Sequence, residues 1–511
     1  MRKVIRVIFS RLTLVGLIFI AQLALLIWVI VTFSTDSIWF LAFGYFISVL
    51  VVIGIVYKDE IPEFKLPWII VVLVLPGVGA LIYWLFGHLK LEKKVRKKFL
   101  IEKSHASEYL AESEESKRLY EEDKEASLQV NYIYKACYQT FYAGTRTKYF
   151  PLGDFFFPDL LLELSKAEKF IFMEYFIIKK GQMWDKILDI LETKIKQGVE
   201  VKLMYDDMGC MLTLPSDYYR KMIGIGIECV PFNRFRPVLT SMFNNRDHRK
   251  ITVIDGRVGY TGGINLSDEY INVNSPYGHW KDSAIKLAGP GVKGLLEMFV
   301  LNWNGISHKP LDFKKYLCCT YEPAADVKGG VAPFGDGPDP IYKEKVGKTV
   351  YLNIINSAKE YIYITTPYLI CDYELLNALA ISAKKGVDVR IITPHIPDKK
   401  MVFDCTRSNY PFLMESGVKI YEYTAGFIHA KNFLADDKFA VVGTINMDYR
   451  SLVHHFECGV FMYKTDSIKE LKDDFNNLFK SQVTHIDGSN AKLNTAQLLG
   501  VKLMKAFFPL L

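Results

Sequence analysis

The chain has no C-x-x-C pair among its eight cysteines, and only Cys318 and Cys319 are adjacent. That spacing excludes a zinc ribbon, and eight scattered cysteines in 511 residues exclude a disulfide-stapled scaffold. Net charge is also small: 63 basic against 56 acidic residues leave +7. Such an excess is compatible with an anionic partner but does not demand one. No small-residue cleavage site stands out after the first apolar run, which argues against a removable signal peptide. Half the residues are hydrophobic and 14% are aromatic. A disordered or collagen-like chain is thereby excluded, and there is core enough for two or three domains.

Charge is missing altogether from three stretches near the N-terminus, residues 12–33, 38–56 and 66–86. Each is close to the ~20 apolar residues that cross a bilayer core. The expected architecture is therefore a membrane anchor over 1–88 with two or three spans, placing the protein as a multi-pass component of a cell membrane. Arg2, Lys3, Arg6 and Arg11 precede the first run, and Lys90, Lys93, Lys94, Arg96, Lys97 and Lys98 follow the third. Both clusters argue for a cytoplasmic end, which three full spans cannot satisfy. Pro76, Gly77 and Gly79 interrupt the third run and mark a kink or a re-entrant turn. A catalytic body on the cytoplasmic side is expected. The second basic cluster reads equally as a topology signal or as a contact for anionic headgroups.

Beyond the anchor, 89–130 is charged and helix-prone and reads as an exposed helical linker. Strand-like and helix-like patches then alternate, the pattern of an α/β domain. They repeat. Ala167-Glu-Lys-Phe-Ile-Phe-Met-Glu-Tyr-Phe resembles Ala358-Lys-Glu-Tyr-Ile-Tyr-Ile-Thr-Thr-Pro, and Gly198-Val-Glu-Val-Lys-Leu-Met-Tyr resembles Gly386-Val-Asp-Val-Arg-Ile-Ile-Thr. His248-Arg-Lys-Ile-Thr-Val-Ile-Asp matches His429-Ala-Lys-Asn-Phe-Leu-Ala-Asp, and Gly262-Gly-Ile-Asn matches Gly443-Thr-Ile-Asn. The histidines are offset by 429 − 248 = 181 and the asparagines by 446 − 265 = 181. Equal offsets mean the two features were duplicated together. The expected domains are a first lobe over 131–323, a Gly/Pro/Asp-rich connecting loop over 324–340, and a second lobe over 341–511 ending in a C-terminal helix.

The repeated motif carries chemistry. Residues i and i+2 of a strand share a face, so His248 and Lys250 project together, as do His429 and Lys431. Two such strands related by a pseudo-twofold axis bring two imidazoles and two ammonium groups to one point. That set suits phosphodiester transfer without a metal or other cofactor. One neutral imidazole attacks phosphorus, the other protonates the leaving alkoxide, and the lysines neutralise the phosphoryl oxygens. Asn265 and Asn446, on the glycine turns that follow, can bind phosphate. A nucleophilic histidine needs a carboxylate on its far nitrogen; Asp282 and Glu457 are the candidates. Asp255 and Asp436 close the motifs and complete the candidate catalytic set, as braces or buried partners of the loop.

On these stretches, together with Trp280-Lys-Asp, Gly426-Phe-Ile-His-Ala-Lys, Gly443-Thr-Ile-Asn-Met-Asp-Tyr-Arg-Ser and Leu75-Pro-Gly-Val-Gly-Ala-Leu-Ile-Tyr, the chain resembles the phospholipase D superfamily and, within it, the bacterial cardiolipin synthases. The similarity runs from about residue 40 to the C-terminus. Two departures are Lys281, where the family often has arginine, and Leu452, where it often has an aromatic. The resemblance implies an α/β fold of two duplicated lobes, each a mixed sheet flanked by helices, sharing one active site behind transmembrane helices. It implies transfer of a phosphatidyl group between two phosphatidylglycerol molecules through a phosphohistidine, yielding cardiolipin and glycerol. It assigns the nucleophile to His248 and the general acid to His429. Partners would be phosphatidylglycerol and anionic lipids, with no nucleic acid. The alternatives are a hydrolytic phospholipase D, a phosphatidylserine synthase-like transferase, and a nuclease that the anchor disfavours. A non-enzymatic lipid-binding scaffold is disfavoured by the intact paired motifs.

Overall fold

The computed structural model describes Ala24 and residues 38–87, 93–110, 112–234, 244–317, 324–488, 495–505 and 507–508. The expected span over 12–33 lies outside the described residues apart from Ala24. The chain divides into two compact units, residues 1–90 with 235–244 and 502–511, and residues 91–234 with 245–501.

In the smaller unit the helix Ile38–Tyr57 carries no charged residue. The apolar run 66–86 is split between the helices Pro62–Val74 and Val78–Phe86. The break falls at the predicted residues for a local reason. Pro76 has no N–H to continue the helix, and Gly77 adopts φ +74°, where a side chain is strained. A Cβ on Gly79 would lie 2.4 Å from the Val71 carbonyl oxygen, so only glycine closes the turn. Ile55, Val72, Ala80 and Tyr83 form the common core of the three helices. The Lys58 ammonium donates to the Tyr83 hydroxyl at 2.7 Å, and the Gly77 N–H donates to Ser48 Oγ at 3.0 Å. Among the described residues no helix is long and apolar enough to cross a membrane.

The larger unit is a mixed α/β body containing the duplication. Its first sheet has seven strands, in the order Arg146–Phe150, Ala284–Ala288, Val258–Gly262, Lys250–Ile254, Phe170–Tyr175, Glu200–Asp206 and Glu228–Phe232. Phe170–Tyr175, Glu200–Asp206 and Glu228–Phe232 run parallel. Between the first two lies the helix Gln182–Lys196, which buries Met183, Trp184, Ile187 and Leu191 at helical spacing. Lys250–Ile254 lies antiparallel to the central strand and is buried throughout. The second sheet repeats this order. Glu457–Tyr463, Phe439–Gly443, Asn432–Ala435, Tyr361–Thr365, Asp388–Pro394 and Lys419–Tyr423 are neighbours in turn. Again the three strands nearest the Lys419–Tyr423 side are parallel, and the strand after the His-x-Lys motif is antiparallel to the first of them.

Two expectations are corrected. The connecting loop over 324–340 contains the strand Gly330–Asp336, paired along its whole length with Glu457–Tyr463. Its glycines are there for fit: a Cβ on Gly330 would lie 2.5 Å from the Phe141 ring. The segment read as an exposed linker forms three helices, Lys93–Ser107, Glu114–Glu122 and Lys124–Cys137, that pack into the body through Phe99, Leu119, Val130 and Ile133. The C-terminal helix is present as Thr495–Lys505.

The last motif residues prove structural. Asp255, with φ +54°, accepts from the N–H groups of Glu168, Lys169 and Phe170 at 2.9, 2.7 and 2.9 Å. Asp436, also at φ +54°, accepts from Lys359, Glu360 and Tyr361 at 2.7, 2.9 and 2.8 Å. Each ties the far end of its strand to the start of the central strand. Asp255 stands five residue steps along the strand from Lys250, roughly 16 Å away. Asp255→Ala is expected to cost about 2–3 kcal/mol in urea unfolding, because three backbone donors and the Arg257 guanidinium lose their acceptor and alanine resists that backbone. Asp255→Asn is expected to cost less. Burial would raise the Asp255 carboxyl, but its backbone donors hold it below 3.8. Its stabilisation is therefore complete above that pH and is lost as pH falls below it.

Candidate active site

Both histidines sit where their motif enters its strand, and each is zipped to the other lobe. The His248 N–H donates to the Phe456 carbonyl at 2.9 Å, and the Phe456 N–H donates to the Arg246 carbonyl at 2.8 Å. In the mirror arrangement, Gly426–Ile428 pairs in parallel with His279–Lys281, and the His429 N–H donates to the Lys281 carbonyl at 2.7 Å. The zippers set which carboxylate meets which imidazole. His248 Nδ1 lies 2.9 and 3.0 Å from the oxygens of Glu457. His429 Nδ1 lies 2.6 Å from Asp282 Oδ2. The pairing is exchanged: the carboxylate of each lobe holds the histidine of the other.

The carboxylates are themselves fixed. Glu457 accepts from Ser451 Oγ at 2.6 Å and from Thr444 Oγ1. Asp282 Oδ1 accepts from the Ser283 N–H at 2.8 Å. Gly263 makes room for it, since a Cβ there would lie 2.0 Å from Oδ1. Arg249, fully buried, donates from Nε to the Glu457 carbonyl at 3.0 Å and from a terminal nitrogen to the Tyr342 hydroxyl at 3.1 Å. Sequence reading missed Thr444, Ser451 and Arg249; Thr444 and Ser451 stand in the Gly443-Thr-Ile-Asn-Met-Asp-Tyr-Arg-Ser stretch, which gave them no role of their own.

Lys250 Nζ donates to the His248 carbonyl at 2.5 Å, and Lys431 Nζ donates to the His429 carbonyl. The i, i+2 relation therefore brings each ammonium back beside its own histidine. Asn265 accepts from the Ile177 N–H at 3.0 Å and donates to the Tyr270 hydroxyl at 2.7 Å. One amide hydrogen is left over for a ligand. Asn446 is anchored by its backbone N–H on Ser451 Oγ at 2.8 Å, and its side-chain oxygen is buried without a partner. Asp255 and Asp436 do not enter the site, as described above.

Burial dominates the electrostatics. It pushes His248 down to about 3 and His429 down to about 4, with the motif lysines adding to the effect. It pushes Lys250 down to about 8 and Lys431 to about 7, the latter further lowered by Lys250. Burial would raise the Glu457 carboxyl, but His248 holds it well below the usual range. At neutral pH both imidazoles are therefore neutral. A carboxylate only accepts hydrogen bonds, so Nδ1 carries the proton and Nε2 presents a lone pair. His248, His455 and Glu457 offer ligand atoms within 4.8 Å of one another, the grouping able to hold a metal ion among the described residues. A cation there would take the place of the proton between His248 and Glu457.

The family model described as "Cardiolipin synthase, PLD-like domain" matches residues 160–283 and 351–479, one match for each lobe. The cardiolipin synthase 2 of Bacillus cereus is 36% identical over 433 residues, covering 84% of each chain. The chain belongs to the cardiolipin synthase family of the phospholipase D superfamily. The cardiolipin synthase of Halalkalibacterium halodurans agrees, at 35% identity over 444 residues, 85% of this chain and 87% of that one. As a member of the cardiolipin synthase family the chain is a phosphatidyltransferase acting on phospholipids. A second model, "Phospholipase_D-nuclease N-terminal", matches residues 46–88, within the apolar N-terminal region. Among solved structures, the phosphatidylserine synthase of Haemophilus influenzae superposes with a TM-score of 0.56 at 16% identity, over 75% of this chain and 96% of that one. It shares the duplicated α/β fold.

Proposed function

We propose that this enzyme joins two phosphatidylglycerol molecules through a phosphohistidine at His248. The observation that carries the reading is the pair of neutral, carboxylate-held imidazoles with two buried lysines between the lobes. Nε2 of His248 attacks the phosphorus of the first lipid, and the P–O bond to its headgroup glycerol breaks. His429, neutral in the resting site, takes up a proton when the anionic phosphate binds beside it, and gives that proton to the departing glycerol oxygen. His429, now neutral, takes the proton from the terminal hydroxyl of a second phosphatidylglycerol. That oxygen attacks phosphorus, the P–N bond breaks, and cardiolipin leaves. Lys250 and Lys431 neutralise the oxygens on which charge develops, and Glu457 stabilises the cationic imidazole formed on attack. Asn265 and Asn446 contribute amide donors to the phosphate.

The N-terminal region attaches the enzyme to the bacterial plasma membrane through more than one apolar segment. In support, the helix Ile38–Tyr57 exposes Trp39, Phe43, Phe46, Ile53 and Val56, and such a helix, apolar all round, suits lipid rather than water. Membranes washed in alkaline carbonate should retain the protein; its release into the supernatant would overturn the attachment.

The reaction is tested with purified protein in phosphatidylglycerol vesicles, reading lipid products and free glycerol. Wild type should release glycerol and cardiolipin in equal amounts, and His248→Ala and His429→Ala should release neither. Phosphatidic acid without cardiolipin would make the enzyme a hydrolase. Full activity in both variants would remove the histidines from the mechanism.

A further inference from the structure

Beside each of these histidines a buried ring nitrogen lacks a partner. Trp280 Nε1 is buried with no acceptor, and its indole lies 5.6 Å from the His429 ring, centre to centre. His455 is 9% exposed, neither of its nitrogens is hydrogen-bonded, and its ring centre lies 5.5 Å from that of His248. A neutral imidazole always carries one N–H. Glu457 Oε1 lies 3.6 Å from His455 Nδ1, a charge contact that helps to hold the carboxyl down but is longer than a well-formed hydrogen bond. The Glu457 carboxylate is already taken by His248, Ser451 and Thr444.

The two positions are equivalent. Trp280 stands two residues before Asp282, and His455 two before Glu457. In an extended chain such residues share a face, so each ring lies on the side of the carboxylate that holds the facing histidine. Trp280 lies in one of the two zippers between the lobes, and His455 stands next to Phe456 of the other. Trp and His share little but a planar ring bearing an N–H. A fold that leaves that group unpaired, at a stability cost, in both halves of a duplicated site is keeping it for a ligand. A ligand that served both rings would reach across the space between His248 and His429 and offer hydrogen-bond acceptors at two sides. A phosphodiester group does so.

We propose that Trp280 and His455 bind the transferred phosphate, each donating its ring N–H to one non-bridging oxygen. The proposal rests on the phosphohistidine chemistry above. The lysines supply charge, and the ring donors supply direction, fixing the phosphorus in line between the two imidazoles. Because the histidines are only 6% and 8% exposed, the cleft has to open to admit the lipid.

The test uses the full chain in detergent, with Trp280→Phe, His455→Leu and His455→Asn. Two quantities are read: binding of inorganic phosphate by calorimetry, and kcat and KM for cardiolipin formation. Trp280→Phe and His455→Leu should each weaken phosphate binding and lower kcat/KM about tenfold, the scale of one hydrogen bond to a charged group. His455→Asn, which restores a donor, should recover most of the loss. Melting temperatures should be unchanged or higher, since an unpaired donor has been removed; a merely structural ring would lower them and would not be rescued by Asn. If His455→Leu fails to fold, Trp280→Phe and the comparison of His455→Asn with wild type decide. Wild-type phosphate binding and wild-type kcat/KM in the variants would overturn the donor pair while leaving the transfer reaction standing. Phosphate binding that depends on both rings, in a protein that makes no cardiolipin, would overturn the reaction and leave the donor pair standing.

Discussion

Glu457→Gln is expected to slow cardiolipin formation by about 10³–10⁴-fold, the scale seen when the carboxylate behind a catalytic histidine is made an amide. The substitution keeps shape and volume. It removes the charge that stabilises a cationic His248, and it allows an N–H to face Nδ1. The imidazole then turns to the tautomer with its proton on Nε2, and the lone pair that attacks phosphorus is gone. Asp282→Asn acts on the other histidine and should differ in kind. With a phosphatidyl p-nitrophenyl ester, whose leaving group needs no proton, Asp282→Asn should still form the covalent lipid adduct and accumulate it, because activation of the acceptor hydroxyl fails. Glu457→Gln should form none. Mass spectrometry of the trapped peptide reads the result. An adduct on His429 that survives in Glu457→Gln would reverse the roles of the two histidines.

Lys250→Met and Lys431→Met are each expected to lower kcat/KM by about 10²–10³-fold, the scale for removing one preorganised stabiliser of a developing oxyanion. The lysines also set a pH limit. Burial brings them down to about 8 and about 7, so the protonated forms are lost as pH rises through that window. Since kcat/KM reports the free enzyme, it should fall between pH 7 and 9, while kcat should hold to higher pH because bound phosphate favours the charged amines. Lys431→Arg, which stays charged, should lose rate through misfit but push the alkaline fall upward. A kcat/KM profile flat from pH 7 to 9.5 would mean that the lysines do not titrate in the free site.

What the sequence displays of this design follows a physical division. His248, Lys250, His429 and Lys431 are legible because their chemistry is local, two residues apart on one strand, and because the duplication repeats it at a fixed offset. The alternation of strands and helices is legible for the same reason. The exchange of Asp282 and Glu457 is not. It depends on two short zippers between segments 147 and 209 residues apart, which no local pattern encodes. Gly330–Asp336 reads as a loop because its glycines suggest turns, whereas they answer to Phe141 and Tyr342 packed against the strand. The stretch 89–130 reads as a linker because charge outnumbers the few apolar residues that dock its helices. Trp280 and His455 stand in motifs that catch the eye for other residues, and only their missing acceptors single them out.

The exchange of carboxylates bears on how such a chain arose. One half alone holds a histidine and a carboxylate that belong to different catalytic pairs, so half the gene encodes no working centre. An unduplicated ancestor would have been active only as a symmetric pair, each copy completing the other. Fusion of the copies lifted the requirement that both be identical. Trp280-Lys-Asp on one side and His455-Phe-Glu on the other are what that freedom allows: two halves that still depend on each other for activity but need no longer be alike.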